Sequence, residues 1–255
     1  GKDYENTIKW VDIVLTNESG KYIVARGVTP TGVIDNKYIA AFSSLELEAN
    51  AEYDVYIYAN CEAPVNKDLD ATSNATIDEM TQDNNFWMTN AYAAKSVTMP
   101  ANMSIHTSYA SPFNLGVHSV ERSMARIDIK PVHKHDGYID NVYIIKNGDD
   151  EEPLTITLTQ AAIINHSKEF YQLRRVSENG TDANWIVGGL ETPDNYVVDA
   201  DYANKVNGYK QENINLFDSH MTNPRSWKWV DMPTNVEDGY KIWQYCKENT
   251  IPGAD

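Results

Sequence analysis

Long hydrophobic runs are missing from this chain of 255 residues. No apolar stretch approaches the ~18–20 residues that a helix needs to span a bilayer, so we expect no direct membrane span. The first ten residues, GKDYENTIKW, also lack the basic-then-apolar pattern of a secretory signal. If the protein is exported, we expect that its signal has been removed or lies outside this sequence.

Basic residues are scarce relative to acidic ones. The chain has 21 Lys and Arg against 37 Asp and Glu, a net charge of −16. A field of this sign repels phosphate backbones and anionic lipid head groups. We therefore expect no nucleic-acid partner and no direct binding to a membrane surface.

Cysteine is scarce as well. The two cysteines, Cys61 and Cys246, cannot build the disulfide framework that holds very small secreted domains together. In an oxidising compartment two accessible thiols tend to pair when the geometry permits. A Cys61–Cys246 bridge and two separate buried thiols both remain open from the sequence.

Known catalytic motifs are also absent. The sequence has no glycine-rich phosphate or dinucleotide loop and no HExxH, GxSxG or CxxC motif. Active sites can assemble from distant residues, so this absence lowers the odds of an enzyme without excluding one. We predict that the chain is not an enzyme and needs no cofactor.

Two features resemble metal sites. His133 and His135 alternate on a predicted strand and could face one ion, but a third ligand cannot be named. The acidic cluster Asp149–Glu152 lacks the alternating ligand spacing of a calcium loop. A solvated strand end and a solvated hairpin tip are the favoured interpretations, so we predict no metal site.

What the sequence does contain is a hydrophobic period of two. Such alternation places one face of a strand on a core and the other in water. The alternating runs lie at residues 11–15, 45–48, 55–60, 125–129 and 154–159. Turn-forming residues separate them at 17–20, 29–32, 136–137, 147–148 and 179–180. This pattern predicts an all-β chain with antiparallel pairing, as a sandwich or barrel.

Helices are predicted to be few and short. Residues 77–82 favour a turn or two of helix with Thr76 or Asp78 near its cap. Residues 236–247 are the second helical candidate, although Gly239 weakens it. Residues 179–233 are loop-rich and polar, which is typical of insertions that decorate a scaffold.

Three segments resemble one family. They are YDVYIYANC at 53–61, FWMTNA at 86–91 and VERSMARIDI at 120–129. In sequence and order they are similar to segments of the fimbrillins that build type V pili in Bacteroidales. Residues 161–175, 196–199 and 245–250 resemble later segments of that family more loosely, so the resemblance covers most of residues 40–255.

The resemblance implies a fold and a function. The chain would be the amino-terminal domain of a fimbrillin, a transthyretin-like antiparallel β-sandwich with loop-rich insertions over residues 1–245. Residues 246–255 would begin the linker to a second domain. The protein would be exported to the cell surface as a structural subunit of a fimbria attached to the outer membrane. It would polymerise by donor-strand exchange and support adhesion, and its partners would be other fimbrial subunits, including accessory, tip or anchor subunits, and receptors on host or bacterial surfaces.

The resemblance also implies processing by an Arg-directed protease. The short leader before Trp10 suggests a cut upstream of Gly1, and Arg26 is the alternative site within this chain. Arg26 follows the apolar run at 22–25 and precedes the turn-rich residues 29–32. A solvent-facing residue at the end of a strand is the favoured interpretation of Arg26.

Two other functions remain open. A cell-surface module that binds carbohydrate or protein without polymerising could use the aromatic loop around Trp227 and Trp229. A secreted glycan-acting enzyme would need a pair of carboxylates, and no pair in the sequence stands out by an apolar setting.

Overall fold

The computed structural model describes residues 3–35, 37–44, 46–106, 108–129, 133–135, 138–140, 142–145, 154–162, 169–177, 185–188, 196–198, 200, 230–232 and 242–247. Strands dominate, and all the pairings among them are antiparallel. The predicted all-β class is therefore confirmed. Within the described ranges, no helix is both long and apolar enough to cross a membrane.

The strands in chain order are β1 Val11–Thr16, β2 Tyr22–Val28, β3 Gly32–Ile34, β4 Lys37–Ile39, β5 Glu52–Ala59, β6 Thr72–Ser73, β7 Met88–Asn90, β8 Lys95–Thr98, β9 Val120–Arg122, β10 Ala125–Ile129, β11 His133–His135, β12 Tyr138–Asp140, β13 Val142–Ile145, β14 Leu154–Thr157, β15 Gln160–Ala161, β16 Phe170–Tyr171, β17 Arg175–Ser177, β18 Ile186–Val187, β19 Tyr196–Val197, β20 Val230–Asp231 and β21 Ile242–Cys246. The helix α1 is Ile77–Met80, and 3-10 turns lie at Asp3–Asn6, Gln82–Asn84 and Met103–His106.

Contacts divide the chain into two compact units. The first takes in Gly1–Met124, Ser167–Val206 and Lys247–Asp255, and the second takes in Ala125–His166 and Asn207–Cys246. The predicted boundary between a domain at 1–245 and a linker at 246–255 stays a prediction.

The first unit is built on a six-stranded sheet. Its strand order is β2-β1-β5-β7-β9, and β8 pairs with β5 beside β7. The segment VDIVLT of β1 is rich in β-branched residues, which suit a pleated, buried strand. β1 pairs with β5 along its whole length, from Val11 opposite Ala59 to Thr16 opposite Asp54.

The side chains of β1 are buried on both faces of the sheet. Val11, Ile13 and Leu15 are buried as the alternation predicts, but so are Asp12 and Val14 between them. The prediction of one solvated face is wrong for β1. Its edges pair with β2 and β5, and the side chains on both of its faces are buried. β1 is therefore a core strand of the first unit.

Asn90 completes the pairing of β5 where two partner strands meet. β7 pairs with β5 at Tyr58 and Ala59, and β8 pairs with its other end. Between these stretches, the N–H of Ile57 donates to Asn90 Oδ1 at 2.6 Å, and Asn90 Nδ2 donates to the carbonyl of Val55 at 3.2 Å. A buried amide side chain thus replaces two ladder bonds that no strand supplies here.

The segment before β1 is also held in place. Glu5 is fully buried in its 3-10 turn and forms an ion pair with Arg122 of β9 at 3.0 Å. Asn60, with a φ of +58°, accepts from the N–H of Lys9 at 2.9 Å and donates to the carbonyl of Thr7 at 2.9 Å. The segment is therefore anchored to the far end of β5 and to β9.

The short helix predicted at 77–82 is confirmed as α1. Thr76 Oγ1 accepts from the N–H of Glu79 at 3.2 Å, and the Glu79 carboxylate accepts from the N–H of Thr76 at 2.6 Å. This reciprocal capping box satisfies two donors that a helix start leaves without partners. The hydrogen bonds that Glu79 accepts from Thr76 also lower the pKa of its carboxyl.

Two other predictions of secondary structure are wrong. Residues 46–48 form no strand, although Leu45 and Leu47 alternate with acids. Residues 242–246 form β21 and pair with β10, where the sequence predicted a helix over 236–247.

In the second unit the predicted strands form without a fully covered apolar face. β10 pairs with β21, and β14 pairs with β13. Ile127, Leu154 and Ile156 on these strands are exposed. Alternation thus predicted the strands of this unit but not the burial of their apolar side chains.

Candidate strand-exchange site

β1 and the residues that hold it form the candidate site, because this strand is buried and paired on both sides. Val14 and Leu15 are fully buried, and Val11 and Ile13 are nearly so. Main-chain bonds join β1 to β2 on one side and to β5 on the other. Taking β1 away would expose the paired edge of β5 and leave an apolar slot on each face of the sheet, one where Val11, Ile13 and Leu15 lie and one where Val14 lies.

A β-bulge lies where β1 meets the end of β2. Val11 pairs with Val28 and Ile13 pairs with Ala25, so a single residue of β1 faces two residues of β2. The two are Arg26 and Gly27, and Gly27 has a φ of +61°. A glycine adopts this left-handed backbone at little cost, which explains why the bulge forms there.

Asp12 is the residue of β1 that faces the bulge, and its carboxylate holds three donors. Oδ1 accepts from the N–H of Gly27 at 2.7 Å, and Oδ2 accepts from the N–H of Ala63 at 2.9 Å. Oδ2 also accepts from Nη1 of Arg26 at 3.0 Å. The Asp12 side chain is only 2% exposed, so its charge is compensated by the two main-chain dipoles and one guanidinium.

Arg26 lies inside β2, which continues to Val28. Its side chain is 43% exposed, and Nη1 also donates to the carbonyl of Ala63 at 3.1 Å. Arg26 therefore faces solvent, as the sequence suggested, but it is also tied to Asp12 and to the segment that follows β5. Processing at Arg26 stays a prediction.

A buried cluster lies against β1. It joins Val14, Tyr58, Cys61, Ala63 and Leu173. Burial raises the pKa of the Tyr58 phenol and of the Cys61 thiol. Both groups are therefore neutral well above neutral pH, as an apolar slot requires.

The two cysteines lie in different units. Cys61 is buried, and its Sγ donates to the carbonyl of Met88 at 3.8 Å. Cys246 ends β21 and is partly buried. The bridge between them stays a prediction.

Several candidate residues of the sequence analysis fall outside what can be described. His133 and His135 lie on β11, but their side chains are not among the described ones. The acidic cluster at 149–152 and Trp227 and Trp229 lie outside the described residues altogether. In the part of the chain that is described, no three His, Cys, Asp or Glu residues cluster as a metal site would require.

Asp12 is the site residue that sequence reasoning missed. It occupies a polar position of the alternation, from which the sequence predicts a solvent-exposed side chain. A useful signal was available, since Asp12 stands alone in the apolar run VDIVLT and an Arg-Gly pair follows in the next strand. If such an acid is buried with its apolar neighbours, its carboxylate requires fixed hydrogen-bond donors.

The three segments that carry the family resemblance contribute neighbouring strands to the sheet of the first unit. Residues 53–61 contain all of β5 except its first residue, residues 86–91 contain β7, and residues 120–129 begin with β9 and continue into β10 of the second unit. The strands β5, β7 and β9 are consecutive neighbours in the sheet. Comparison of the chain with protein-family models, with curated proteins and with solved structures gives no match.

Proposed function

We propose that this chain is a non-enzymatic structural subunit of a bacterial surface fimbria, exported and attached to the outer membrane, which polymerises by donor-strand exchange and supports adhesion. Its fold would be the transthyretin-like β-sandwich of the fimbrillin amino-terminal domain. Its partners would be other fimbrial subunits and receptors on host or bacterial surfaces. The observation that carries the proposal is β1, a strand buried on both faces and followed closely by an arginine in a bulge.

The exchange step follows from the pairing of β1. A cut between Arg26 and Gly27 would leave β1, together with residues 22–26 of β2, attached to the rest of the chain by noncovalent contacts alone. Departure of β1 with this part of β2 would free the edge of β5 from Asp54 to Ala59 and open the slot beside Tyr58. An incoming strand from a neighbouring subunit would supply main-chain hydrogen bonds and buried side chains together.

Repetition of this contact builds a fibre. The donor strand and the acceptor slot are different surfaces, so the contact is heterologous and gives an open filament when the rotation does not close. An empty slot beside a free strand edge is an aggregation hazard. A subunit of this kind therefore keeps its own first strand in place until it assembles.

The bulge would also control the cut. An Arg-specific protease must bind the guanidinium in its own specificity pocket. In the intact chain the Arg26 guanidinium is instead bound by the carboxylate of Asp12 and the carbonyl of Ala63. The main chain at Arg26 lies in the bulge, between the paired residues Ala25 and Val28 of β2. Cleavage would thus require local opening of the bulge.

The test uses an Arg-specific protease on the purified chain. We expect a new amino terminus at Gly27 by mass spectrometry, followed by a ladder of polymers that survives mild denaturation. The matched control is Arg26→Lys, which keeps a cation beside Asp12 but is not a substrate. It should give neither the Gly27 terminus nor the ladder.

A second measurement separates exchange from cleavage. A labelled peptide of residues 10–17, WVDIVLTN, should enter the cleaved chain and not the intact one, because only the cleaved chain can release β1. A cleaved chain that neither takes up the peptide nor polymerises would overturn the β1 slot. Native fibres whose subunits start at or before Gly1 would move the processing site away from Arg26.

A further inference from the structure

The slot that β1 fills is not apolar throughout. The N–H of Ala63 donates to Oδ2 of Asp12 at 2.9 Å in buried surroundings, and Ala63 itself is only 2% exposed. The N–H of Gly27 donates to Oδ1 of the same carboxylate at 2.7 Å. Departure of β1 would take this acceptor away and leave a buried main-chain donor facing the slot. A buried N–H that loses its acceptor lowers an equilibrium constant roughly tenfold to a hundredfold.

The wall of the slot that carries this donor stays in place when β1 leaves. Ala63 belongs to the buried cluster that also contains Tyr58, Cys61 and Leu173, and none of these four residues lies on β1 or β2. In the register of β1 against β5, Asp12 lies opposite Tyr58. Strand pairing therefore fixes which residue of an incoming strand meets the N–H of Ala63, namely the residue opposite Tyr58.

A positive charge lies at the same position. Nη1 of Arg26 is 3.0 Å from Oδ2 of Asp12, in a chain whose net charge is −16. Hydrolysis of the bond between Arg26 and Gly27 would remove this guanidinium together with β1, but it would also turn the N–H of Gly27 into an α-amino group. Such a group is largely protonated at neutral pH. The cleaved chain would thus keep a cation next to the incoming side chain.

We infer that the slot selects a donor strand with a carboxylate side chain opposite Tyr58 and apolar residues on either side of it. The partner is a strand of another subunit that repeats the pattern of residues 11–15, which is one apolar residue, an acid and three apolar residues. A strand that is apolar throughout fills both apolar slots but leaves the N–H of Ala63 without an acceptor. Rejection of such a strand gives specificity beyond hydrophobic burial. This requirement rests on the proposed exchange of β1.

The experiment uses the full chain with a cut between β1 and β2. A protease site that contains no arginine, inserted in the exposed turn between Glu18 and Ser19, releases the segment that carries β1 and leaves β2 in place. The cut chain is unfolded in urea and refolded with an excess of labelled peptides of residues 3–18, DYENTIKWVDIVLTNE, and native mass spectrometry measures which peptide is bound. The Asp12→Ala peptide should bind about a hundredfold more weakly than the unchanged peptide, and the Asp12→Asn peptide about fivefold more weakly.

The Asp3→Ala peptide is the matched control. It loses one acid from the same sequence, but Asp3 is exposed and lies outside β1, so this peptide should bind as the unchanged one does. Equal binding of the Asp12→Ala peptide and the unchanged one would overturn the requirement for a carboxylate and leave the exchange of β1 standing. An Asp3→Ala peptide as weak as the Asp12→Ala peptide would overturn the requirement too, because net charge would then set the affinity. Failure of every peptide to bind, the unchanged one included, would overturn the exchange itself and, with it, both the requirement and the fimbrial proposal.

Discussion

Replacing Asp12 by alanine removes the acceptor of three hydrogen bonds at the bulge. The N–H of Ala63 is buried, so losing its acceptor costs about 1–3 kcal/mol. Gly27 and Arg26 are exposed, so water replaces most of what they lose, at about 0.5 kcal/mol each. We expect Asp12→Ala to lower the free energy of unfolding by about 3 kcal/mol, with the buried N–H as the main contribution.

Two matched variants show how this loss of unfolding free energy is divided among the three donors. Asp12→Asn can keep its carbonyl oxygen on Ala63 and Arg26 and turn its NH₂ toward the exposed N–H of Gly27, so we expect a loss of about 1 kcal/mol. Arg26→Met removes a half-exposed ion-pair partner and leaves both main-chain donors in place, so we expect a loss of at most about 1 kcal/mol. In the double variant Asp12→Ala/Arg26→Met the loss should match that of Asp12→Ala within about 0.5 kcal/mol, because Arg26 has already lost its carboxylate acceptor and keeps only its half-exposed bond to the carbonyl of Ala63.

The assay is urea unfolding followed by tryptophan fluorescence, with the slope compared among the variants. The expected order of loss is Asp12→Ala first, with Asp12→Asn and Arg26→Met well below it. An Arg26→Met variant as unstable as Asp12→Ala would refute the reasoning, because it would make the ion pair, and not the buried N–H, the dominant interaction at the bulge.

Three further predictions concern other positions. Tyr58→Phe should leave the free energy of unfolding unchanged or raise it, since the buried hydroxyl has no hydrogen-bond partner among the described residues. The control is Tyr53→Phe, which removes a hydroxyl that accepts a main-chain hydrogen bond. This variant should lower the free energy of unfolding by about 1 kcal/mol in the same urea assay. Gly188→Ala should lower the melting temperature strongly, by a loss of about 2–4 kcal/mol, because its φ is +85° and a Cβ would lie 2.1 Å from the carbonyl oxygen of Tyr92; an unchanged melting temperature would contradict this close approach. Burial raises the pKa of the Cys61 thiol in the folded chain, so the unfolded chain loses this proton first as the pH rises. The stability that the protonated thiol contributes is therefore complete below about pH 9 and falls above it by about 1.4 kcal/mol per pH unit. Cys61→Ala should remove that part of the alkaline slope in unfolding titrations from pH 7 to 11.

Local patterns were sufficient wherever the physical cause is local. The alternation at 11–15 and 55–60 and the turn-forming residues at 17–20 predicted two strands and a turn that form in these places. The helix α1 also followed from local chemistry, because the capping box at Thr76 and Glu79 lies within four consecutive residues. Propensity and capping act over such short distances, so the sequence carries them directly.

The predictions that failed depended on partners far along the chain. Residues 46–48 have the pattern of a strand but form none, because a strand also requires a partner edge in ladder contact, and β2 lies across a cleft. Residues 242–246 became a strand because β10 offers them an edge, and this pairing overrides the weak helical preference of residues 236–247.

The sequence by itself determined that this is a β-rich, acidic chain without a membrane-spanning helix in its pattern, with its strands and turns in largely the observed places. Only the tertiary structure decided that β1 is buried on both faces, that Asp12 holds a bulge at Arg26 and Gly27, and that Asn90 replaces ladder bonds on β5. The physical reason is that alternation reports which side chains share a face of a strand. It does not report whether a second layer or a neighbouring strand covers that face, and those contacts come from residues dozens of positions away.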